Sequence, residues 1–314
     1  MRIARNLAEA VEFPPSAVII GNFDGVHVGH QRLCEEVAAM ARERGLRPTV
    51  LTFDPHPACV VAPDRAPRLL TTPEERAALM GQHGIEQTLI LPFTRQIAEM
   101  SPEDFVRTVM VKALGVKLVL VGENFRFGRR QAGNTEMLLS LGQTEGFETR
   151  VVGAVSCRGR VVSSSAVRKL IDEGNVQLAW RFLNRPYSIS GEIVRGHGIG
   201  AKQTVPTLNL RTSAQVLPAR GVYLTRTSDA GRIWNSITNI GYRPTFGDAQ
   251  ELSIETFLLD PLEGEPPARV RLEFLRRVRD ERKFENPAEL KSQILRDVES
   301  ARKFFRRFPH QFVQ

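Results

Sequence analysis

The chain has 314 residues, is 42% hydrophobic and 25% charged, and carries a net charge of +8. This composition is typical of a globular protein, and the length is enough for two domains. Three scattered cysteines argue against a disulfide framework or a zinc site and favour reduced thiols in the cytoplasm. We expect neither a signal peptide nor a membrane-spanning run. The basic charge favours anionic ligands, nucleotides as much as nucleic acids.

Strands and helices alternate in the first half of the chain. Helices have clear start signals, such as Thr72 before Pro73 and Glu75, Ser101 before Pro102, and Asn134. Short apolar runs between turn formers predict strands at residues 18–20, 49–53, 88–91, 118–121 and 149–152. The alternation predicts a doubly wound parallel sheet, in which ligands bind beyond the carboxyl ends of the strands.

A glycine-rich turn follows the first predicted strand and leads into a helix that Gly45 ends. Glycines permit close backbone approach and positive φ, and a helix N-terminus presents unpaired N–H groups to phosphate. Two imidazoles three residues apart can donate hydrogen bonds to such a phosphate. A structural histidine pair, a zinc site and a capping role for the aspartate are the alternatives. The candidate site residues of this stretch are Gly21, Asn22, Phe23, Asp24, His27, Gly29 and His30.

Further polar turns follow the second and fourth predicted strands, at residues 52–57 and 122–128, the latter with Asn124. A serine turn with Ser164 and Ser165 leads to Arg168 and could hold phosphate or simply cap a helix. The sequence has no P-loop motif and no arrangement that suggests covalent catalysis. Nucleotidyl transfer fits these residues, because it needs positioning and positive charge more than a protein nucleophile.

The second half changes to strand after strand, with strands predicted at residues 187–195, 205–210, 222–227, 233–240, 252–259 and 270–275. Six short strands predict a small antiparallel β-barrel. Domains are therefore expected at residues 1–184 and 185–314. A terminal helix begins after Asn286. Its apolar stripe, expected to pack on the barrel, is Leu290, Ile294, Val298, Ala301 and Phe305.

Three stretches of the second half could carry chemistry. The glycine-rich residues 196–200 could wrap phosphates or form a flexible hairpin. Thr207 and Asn209 share a strand face and offer oxygens to a hard cation such as Mg²⁺, although a solvated face is an equal alternative. Glu251 and Glu255 also share a face, and one of them could be a general base. Basic clusters at 276–283 and 302–307 favour a solvated surface.

The stretch from Gly21 to His30 resembles the H-x-G-H signature of the nucleotidylyltransferase superfamily, in the flavin branch formed by the bacterial bifunctional riboflavin kinase/FMN adenylyltransferases (FAD synthetases). Residues 52–57, 124–128 and the serine–arginine turn match its other adenylyltransferase motifs. Residues 206–209 resemble the kinase P-T-A-N motif, and residues 239–246 resemble its N-x-G-x-x-P-T-F element. The resemblance implies a Rossmann-like sheet followed by a riboflavin kinase-like six-stranded barrel with a terminal helix.

By this resemblance, ATP phosphorylates riboflavin to FMN and then adenylylates FMN to FAD, with release of pyrophosphate. Glu255 would deprotonate the riboflavin hydroxyl, Thr207 and Asn209 would hold Mg²⁺ with ATP, and His27 and His30 would stabilise phosphates. Riboflavin, FMN and ATP are the implied partners; a homo-oligomer is left open, and neither membrane nor nucleic acid is expected. The remaining nucleotide and flavin contacts would come from Gly196, Gly200, Lys202, Asn239 and Arg279.

The nucleotide loop of the barrel departs from the family pattern. Ala201, Thr204 and Val205 stand where the family usually has arginine, glycine and phenylalanine. Lys202 is not equivalent to the planar guanidinium fork of an arginine. An FMN adenylyltransferase with a weak or silent kinase half is therefore the narrower hypothesis. A basic nucleic-acid-binding protein and a flavin-binding regulator are hypotheses from other classes.

Overall fold

The structure is a computed structural model and describes residues 1–194, 207–244, 250–282 and 284–307. Contacts between Cα atoms divide the chain into two units, Met1–Ala166 and Val167–Gln314. The helical segment that precedes Arg185 thereby groups with the second unit, whereas the sequence places the domain boundary after Asn184. That boundary stays a prediction.

The first unit contains the predicted parallel sheet. Its strand order is β1-β4-β3-β2-β5-β6, and every neighbouring pair is parallel. All five predicted strands are confirmed, and each begins one or two residues earlier than predicted. A three-residue strand at the N-terminus was not predicted. The strands are β1 Arg2–Ala4, β2 Ser16–Ile20, β3 Arg47–Asp54, β4 Gln87–Pro92, β5 Val116–Gly122 and β6 Glu148–Val152, with a separate hairpin of β7 Ser156–Cys157 and β8 Arg160–Val161.

The helices of this unit begin at the predicted caps. Thr72 forms a reciprocal capping box with Glu75, and Gly45 ends its helix with a φ of 64°. A π-helical segment, Val106–Ala113, directly continues α6. The helices are α1 Leu7–Ala10, α2 Val28–Arg44, α3 Ala58–Val61, α4 Pro73–Gly81, α5 Arg95–Ala98, α6 Pro102–Phe105 and α7 Thr135–Glu145, with 3₁₀ turns at Pro63–Arg65 and Arg129–Gln131.

The sheet is buried on both faces, as the apolar strands require. In β2, Val18 and Ile20 point into one hydrophobic cluster, whereas Ala17 and Ile19 point into the other. Burial of one aliphatic side chain of this size contributes about 1.5–3 kcal/mol. The central strand is therefore held from two sides, and its carboxyl end is a fixed platform for the loop that follows.

The second unit contains the predicted closed barrel. The order is β10-β13-β12-β11-β14-β9, and all neighbouring strands are antiparallel. Two helices precede the barrel and one follows it. The elements are α8 Ser164–Asp172, which spans the division between the units, α9 Val176–Leu183, β9 Tyr187–Val194, β10 Thr207–Arg211, β11 Gly221–Asp229, β12 Arg232–Pro244, β13 Gln250–Leu258, β14 Arg269–Arg279 and α10 Pro287–Arg307.

The barrel interior holds buried hydroxyl groups beside the aromatic rings of Tyr223 and Phe274, and the outer face is apolar where α10 packs. Buried hydroxyl groups form a hydrogen-bonded chain with O–O distances of 2.7–2.9 Å, through Thr227, Ser236, Thr225, Thr238 and Thr256. The α10 stripe packs on the outer face, where Val298, Ala301 and Phe305 are buried against Val222, Leu224 and Ile237, with Ile294 beside them. The prediction fails for Leu290, which is 41% exposed because it lies where the helix borders a cavity.

Candidate functional site

The polar turns of the first unit meet at one edge of the sheet. The loops after β2, β3 and β5 follow neighbouring parallel strands, since β2 lies between β3 and β5. From β2 the chain adds β3 and β4 on one side of the sheet and then crosses to add β5 and β6 on the other side of β2. This is the topological switch point at which open α/β sheets bind their ligands.

Two stacked histidines stand at the start of α2. His27 is the N-cap residue, and its ring lies against that of His30 with centroids 3.6 Å apart. The edge of Phe23 packs against His30 at 5.1 Å. A Cβ on Gly29 would lie 3.2 Å from the His27 ring, so the glycine leaves room for the stack. The histidines are thereby placed at the N-terminal end of the helix, where the positive end of its dipole lies.

The environment of His30 favours its neutral form. Burial lowers the pKa of His30 well below its ordinary value, and the neighbouring His27 and Arg76 lower it further. A neutral imidazole carries one N–H donor and one acceptor nitrogen. The stacked pair therefore offers hydrogen bonds to an anionic ligand without accumulating two positive charges.

The backbone of the loop is strained at non-glycine residues. Gly25 has a φ of 78°, but Phe23 and Val26 also take positive values, 49° and 41°. Gly21 and Gly29 do not take positive φ values. They contribute space instead: a Cβ on Gly21 would lie 3.2 Å from the ring of Phe23.

Asp24 is buried within the loop. Its carboxylate accepts hydrogen bonds from the backbone N–H groups of Leu70 and Thr71 at 3.0–3.1 Å and from the Thr71 hydroxyl at 3.1 Å. Its backbone carbonyl accepts from Ser164 Oγ at 2.8 Å. These contacts hold the loop in shape, and a direct contact of Asp24 with nucleotide stays a prediction.

Asn22 connects the loop to the turn after β3. Thr52 Oγ1 donates to the carbonyl oxygen of Asn22 at 3.3 Å, and the Asn22 amide lies 3.0 Å from His56 Nε2. The N–H of Ala58 donates to His56 Nδ1 at 3.2 Å. These contacts join the loop after β2 to the turn after β3.

The remaining predicted residues of this half are less buried. Asn124 is exposed in the turn after β5, and Ser165 is exposed in the first turn of α8. Ser163 caps that turn, since its Oγ accepts from the N–H of Ala166 at 3.2 Å. Arg168 is half-buried one turn further along the helix. Their contacts with nucleotide stay predictions.

In the barrel, three predicted residues form one row across neighbouring strands. Glu255 on β13 lies directly opposite Asn209 on β10 and opposite Asn239 on β12. Thr207 is two residues before Asn209 and has the same half-buried state, whereas Leu208 between them is buried. Ser253 Oγ donates to Glu255 Oε1 at 3.2 Å. A carboxylate and amide groups therefore converge on one face.

This row borders a cavity of about 750 Å³ between the barrel and α10. Asn239, Glu255 and Arg279 are among the residues that line it. The guanidinium of Arg279 donates to Asp297 Oδ2 from Nη2 at 2.7 Å and from Nε at 3.0 Å. Asp297 is 6% exposed. The cavity combines apolar walls with a fixed arginine–aspartate pair, and it is large enough for a drug-sized ligand.

Several predicted residues lie outside the described part of the chain. These are Gly196, Gly200 and Lys202, with the altered loop residues Ala201, Thr204 and Val205. Residues 245 and 246 of the N-x-G-x-x-P-T-F element also lie outside it, as does the side chain of Glu251.

Among the described residues, no group of three or more histidine, cysteine, aspartate or glutamate side chains could hold a metal ion. No helix in the same part of the chain has the length and apolarity needed to cross a membrane.

Two residues of these sites were not predicted. Arg76 of α4 contacts Thr52 and lies behind the histidine loop, and Asp297 of α10 fixes Arg279. The spacing of both residues along their helices indicates weakly that they lie on the buried face. Arg76 shares a face with the buried Met80, and Asp297 lies three residues after Ile294 and four before Ala301.

The first unit has a histidine pair at a sheet switch point, and the second has one glutamate and two asparagines in a row across its barrel. Together these features define a two-domain class of nucleotide-using transferases. Family models match both halves: FAD synthetase over residues 10–166 and riboflavin kinase over residues 183–305.

Curated relatives match along most of the chain. Proteins named bifunctional riboflavin kinase/FMN adenylyltransferase are 33% identical in Pseudomonas fluorescens, over 84% of this chain and 85% of the relative, and 33% identical in Escherichia coli, over 90% and 91%. The Bacillus subtilis protein of that name is 32% identical over 86% of each chain. The chain belongs to the bifunctional riboflavin kinase/FMN adenylyltransferase family.

A solved structure shares the whole fold. It superposes with a TM-score of 0.85 at 27% identity and covers 96% of this chain and 98% of its own. That chain is described as a macrolide-efflux protein from Streptococcus pneumoniae. That description concerns the Streptococcus pneumoniae protein, and the comparison shows that the two chains share a fold.

Proposed function

We propose that this chain makes FAD in two steps. The C-terminal unit phosphorylates riboflavin to FMN with ATP, and the N-terminal unit adenylylates FMN to FAD and releases pyrophosphate. The observation that carries the proposal is the presence on one chain of a FAD synthetase match and a riboflavin kinase match. The reduced cysteines that the composition favours fit a cytoplasmic enzyme.

In the first step, Glu255 takes the proton of the riboflavin hydroxyl. The hydroxyl oxygen then attacks the γ-phosphorus of ATP, and ADP leaves. The cavity beside Glu255, with its apolar walls and the Arg279–Asp297 pair, supports flavin as its ligand.

The oxygens of Thr207 and Asn209 suit Mg²⁺, which prefers hard oxygen ligands, and Asn209 lies opposite the Glu255 carboxylate. These residues would hold Mg²⁺ with ATP. When bound, the ion supplies positive charge that offsets the charge of the phosphates.

In the second step, a phosphate oxygen of FMN attacks the α-phosphorus of ATP, and the bond to pyrophosphate breaks. His27 and His30 donate hydrogen bonds to phosphate oxygens, and the positive end of the α2 dipole adds to them. The loop that Asp24 and Asn22 hold in shape keeps these donors in place before the substrates bind. The protein supplies no nucleophile, because FMN carries its own.

One observation favours a narrower function. Ala201, Thr204 and Val205 replace three residues of the usual nucleotide loop of the kinase. The enzyme would then convert FMN to FAD but phosphorylate riboflavin slowly or not at all.

The test supplies the purified chain with riboflavin and MgATP, and separately with FMN and MgATP, and resolves FMN and FAD by chromatography. We expect FMN and FAD from the first mixture and FAD from the second. FAD from added FMN, without any FMN from riboflavin, would favour the narrower function. The absence of product in both mixtures, together with strong salt-dependent binding of DNA or RNA, would favour a nucleic-acid-binding protein instead.

A further inference from the structure

Arg76 is a buried arginine directly behind the histidine loop. Only 3% of its side chain is exposed. Its Nη1 donates to Thr52 Oγ1 at 3.2 Å, and its Nη2 lies 4.0 Å from Asp24 Oδ1. It belongs to α4, for which the sequence signals only a capping box at the N-terminus.

Both contacts of Arg76 lead into the loop between β2 and α2. Thr52 accepts from the guanidinium and donates its own hydroxyl hydrogen to the carbonyl of Asn22. Asp24 binds the backbone of the segment just before α4, through Leu70 and Thr71. Arg76 therefore holds the loop at two points that flank Phe23, whose ring contacts His30.

Packing alone does not account for a charge at this position. The Nε of Arg76 is buried and has no hydrogen-bond partner among the described residues, and Asp24 is too distant for a hydrogen bond. A buried guanidinium with incomplete partners is costly, and an apolar side chain of similar size would fill the space at less cost. The cation is thus better explained by an effect on its neighbours.

The neighbour that responds is His30. The positive charge of Arg76 lowers the pKa of His30, in the same direction as burial and the neighbouring His27. The charged groups that act on Arg76 itself are Asp24, Asp54 and Glu74, and they favour its cationic form against the effect of burial. Arg76 is therefore a buried cation whose charge acts on the His30 ring in the direction that favours the neutral form.

We propose that Arg76 is a positioning residue for adenylyl transfer: it fixes the loop through Thr52 and Asp24 and so holds the His27–His30 pair where it can bind substrate phosphates. This inference rests on the proposed conversion of FMN to FAD.

The test compares the parent chain with Arg76→Gln and Arg76→Lys in the conversion of FMN to FAD, as kcat and KM across pH 5–9. In Arg76→Gln we expect kcat to fall about tenfold or more. Loss of the cation also raises the pKa of His30, so the acidic limb of the kcat profile should move to higher pH. Arg76→Lys keeps the charge and should keep the limb of the parent, with an intermediate kcat.

The matched control is Arg47→Gln. Arg47 is on β3, as Thr52 is, but at its opposite end, where the side chain is 55% exposed and pairs with Glu86. It should have the kcat and the pH profile of the parent. A parent-like kcat and an unmoved acidic limb in Arg76→Gln would overturn the inference while the proposed function stands.

Two outcomes need a separate reading. A parent chain that forms no FAD from FMN contradicts the proposed function. The inferred role of Arg76 is then refuted as well, because it rests on that function. If Arg76→Gln is unfolded by circular dichroism, Arg76→Lys decides: a several-fold loss of kcat at a parent-like unfolding temperature supports positioning, and an unchanged kcat refutes it.

Discussion

His27 and His30 stack with their ring centroids 3.6 Å apart and an interplanar angle of 20°. Two imidazolium ions at this separation would repel each other, so protonation of one ring opposes protonation of the other. Burial of His30 has the same effect. The pair thus links the charge of the candidate site to the stability of the unit that contains it.

We expect the N-terminal unit to lose stability as the pH falls below about 6.5, the ordinary pKa of histidine. The folded state holds the pKa of His30 lower, so the unfolded chain binds more protons in this range. Stability is full above about pH 6.5 and falls towards the folded-state pKa, by at most about 1.4 kcal/mol per pH unit for one proton. Urea unfolding at a series of pH values measures the slope, and His30→Gln should flatten it. An equal slope in that variant would contradict the assignment.

Glu255→Gln should lower the formation of FMN from riboflavin by about 100-fold or more, the usual contribution of a general base. The conversion of added FMN to FAD should be unchanged, because Glu255 belongs to the other unit. Both rates are measured on the same preparation. Glu192→Gln is the control, since Glu192 is an exposed barrel carboxylate that pairs with Arg211. If Glu255→Gln and Glu192→Gln form FMN equally fast, Glu255 is not the base.

The sequence predicted the fold because the signals of the fold are local. Apolar runs, helix caps and the change from alternating elements to consecutive strands all lie within short windows. The strand β1, Arg2–Ala4, was not predicted because three residues are too few for a hydrophobic pattern. Strand ends were predicted too short where polar residues such as Arg47 and Asp54 continue the pairing.

Site residues that lie in a sequence motif could be predicted. Site residues that are brought into place by contacts distant in the sequence could not. His27 and Glu255 lie in recognisable motifs. Arg76 looks like an ordinary surface arginine of a helix, and its burial depends on Thr52 and Asp24, which are distant in the sequence. Asp297 lies beside Arg279 only because α10 folds back onto the barrel, so its contact with the end of β14 is not visible in the sequence.

Asp297→Asn should raise the KM for riboflavin about tenfold with a smaller change in kcat. Asp297 accepts from Arg279 at Oδ2 and from Gln293 at Oδ1, whereas an amide has only one acceptor oxygen and no charge to pair with the guanidinium. Arg279 is therefore held less firmly at the cavity wall. Initial rates of FMN formation over a range of riboflavin concentrations measure the effect. Glu299→Gln is the control on the same helix, because Glu299 is 65% exposed and pairs with Lys303. An unchanged KM in Asp297→Asn would show that the pair does not hold the flavin.

Asp24→Ala should destabilise the N-terminal unit by about 3–5 kcal/mol, the usual cost of removing one partner of a buried ion pair. The substitution leaves Arg76 without its nearest carboxylate and leaves the N–H groups of Leu70 and Thr71 without their acceptor. Asp24→Asn retains one acceptor oxygen and should lose less. The urea midpoint of the N-terminal unit, followed by circular dichroism, measures both variants. A parent-like midpoint in Asp24→Ala would mean that the loop is held by other contacts and that Asp24 is not needed for its shape.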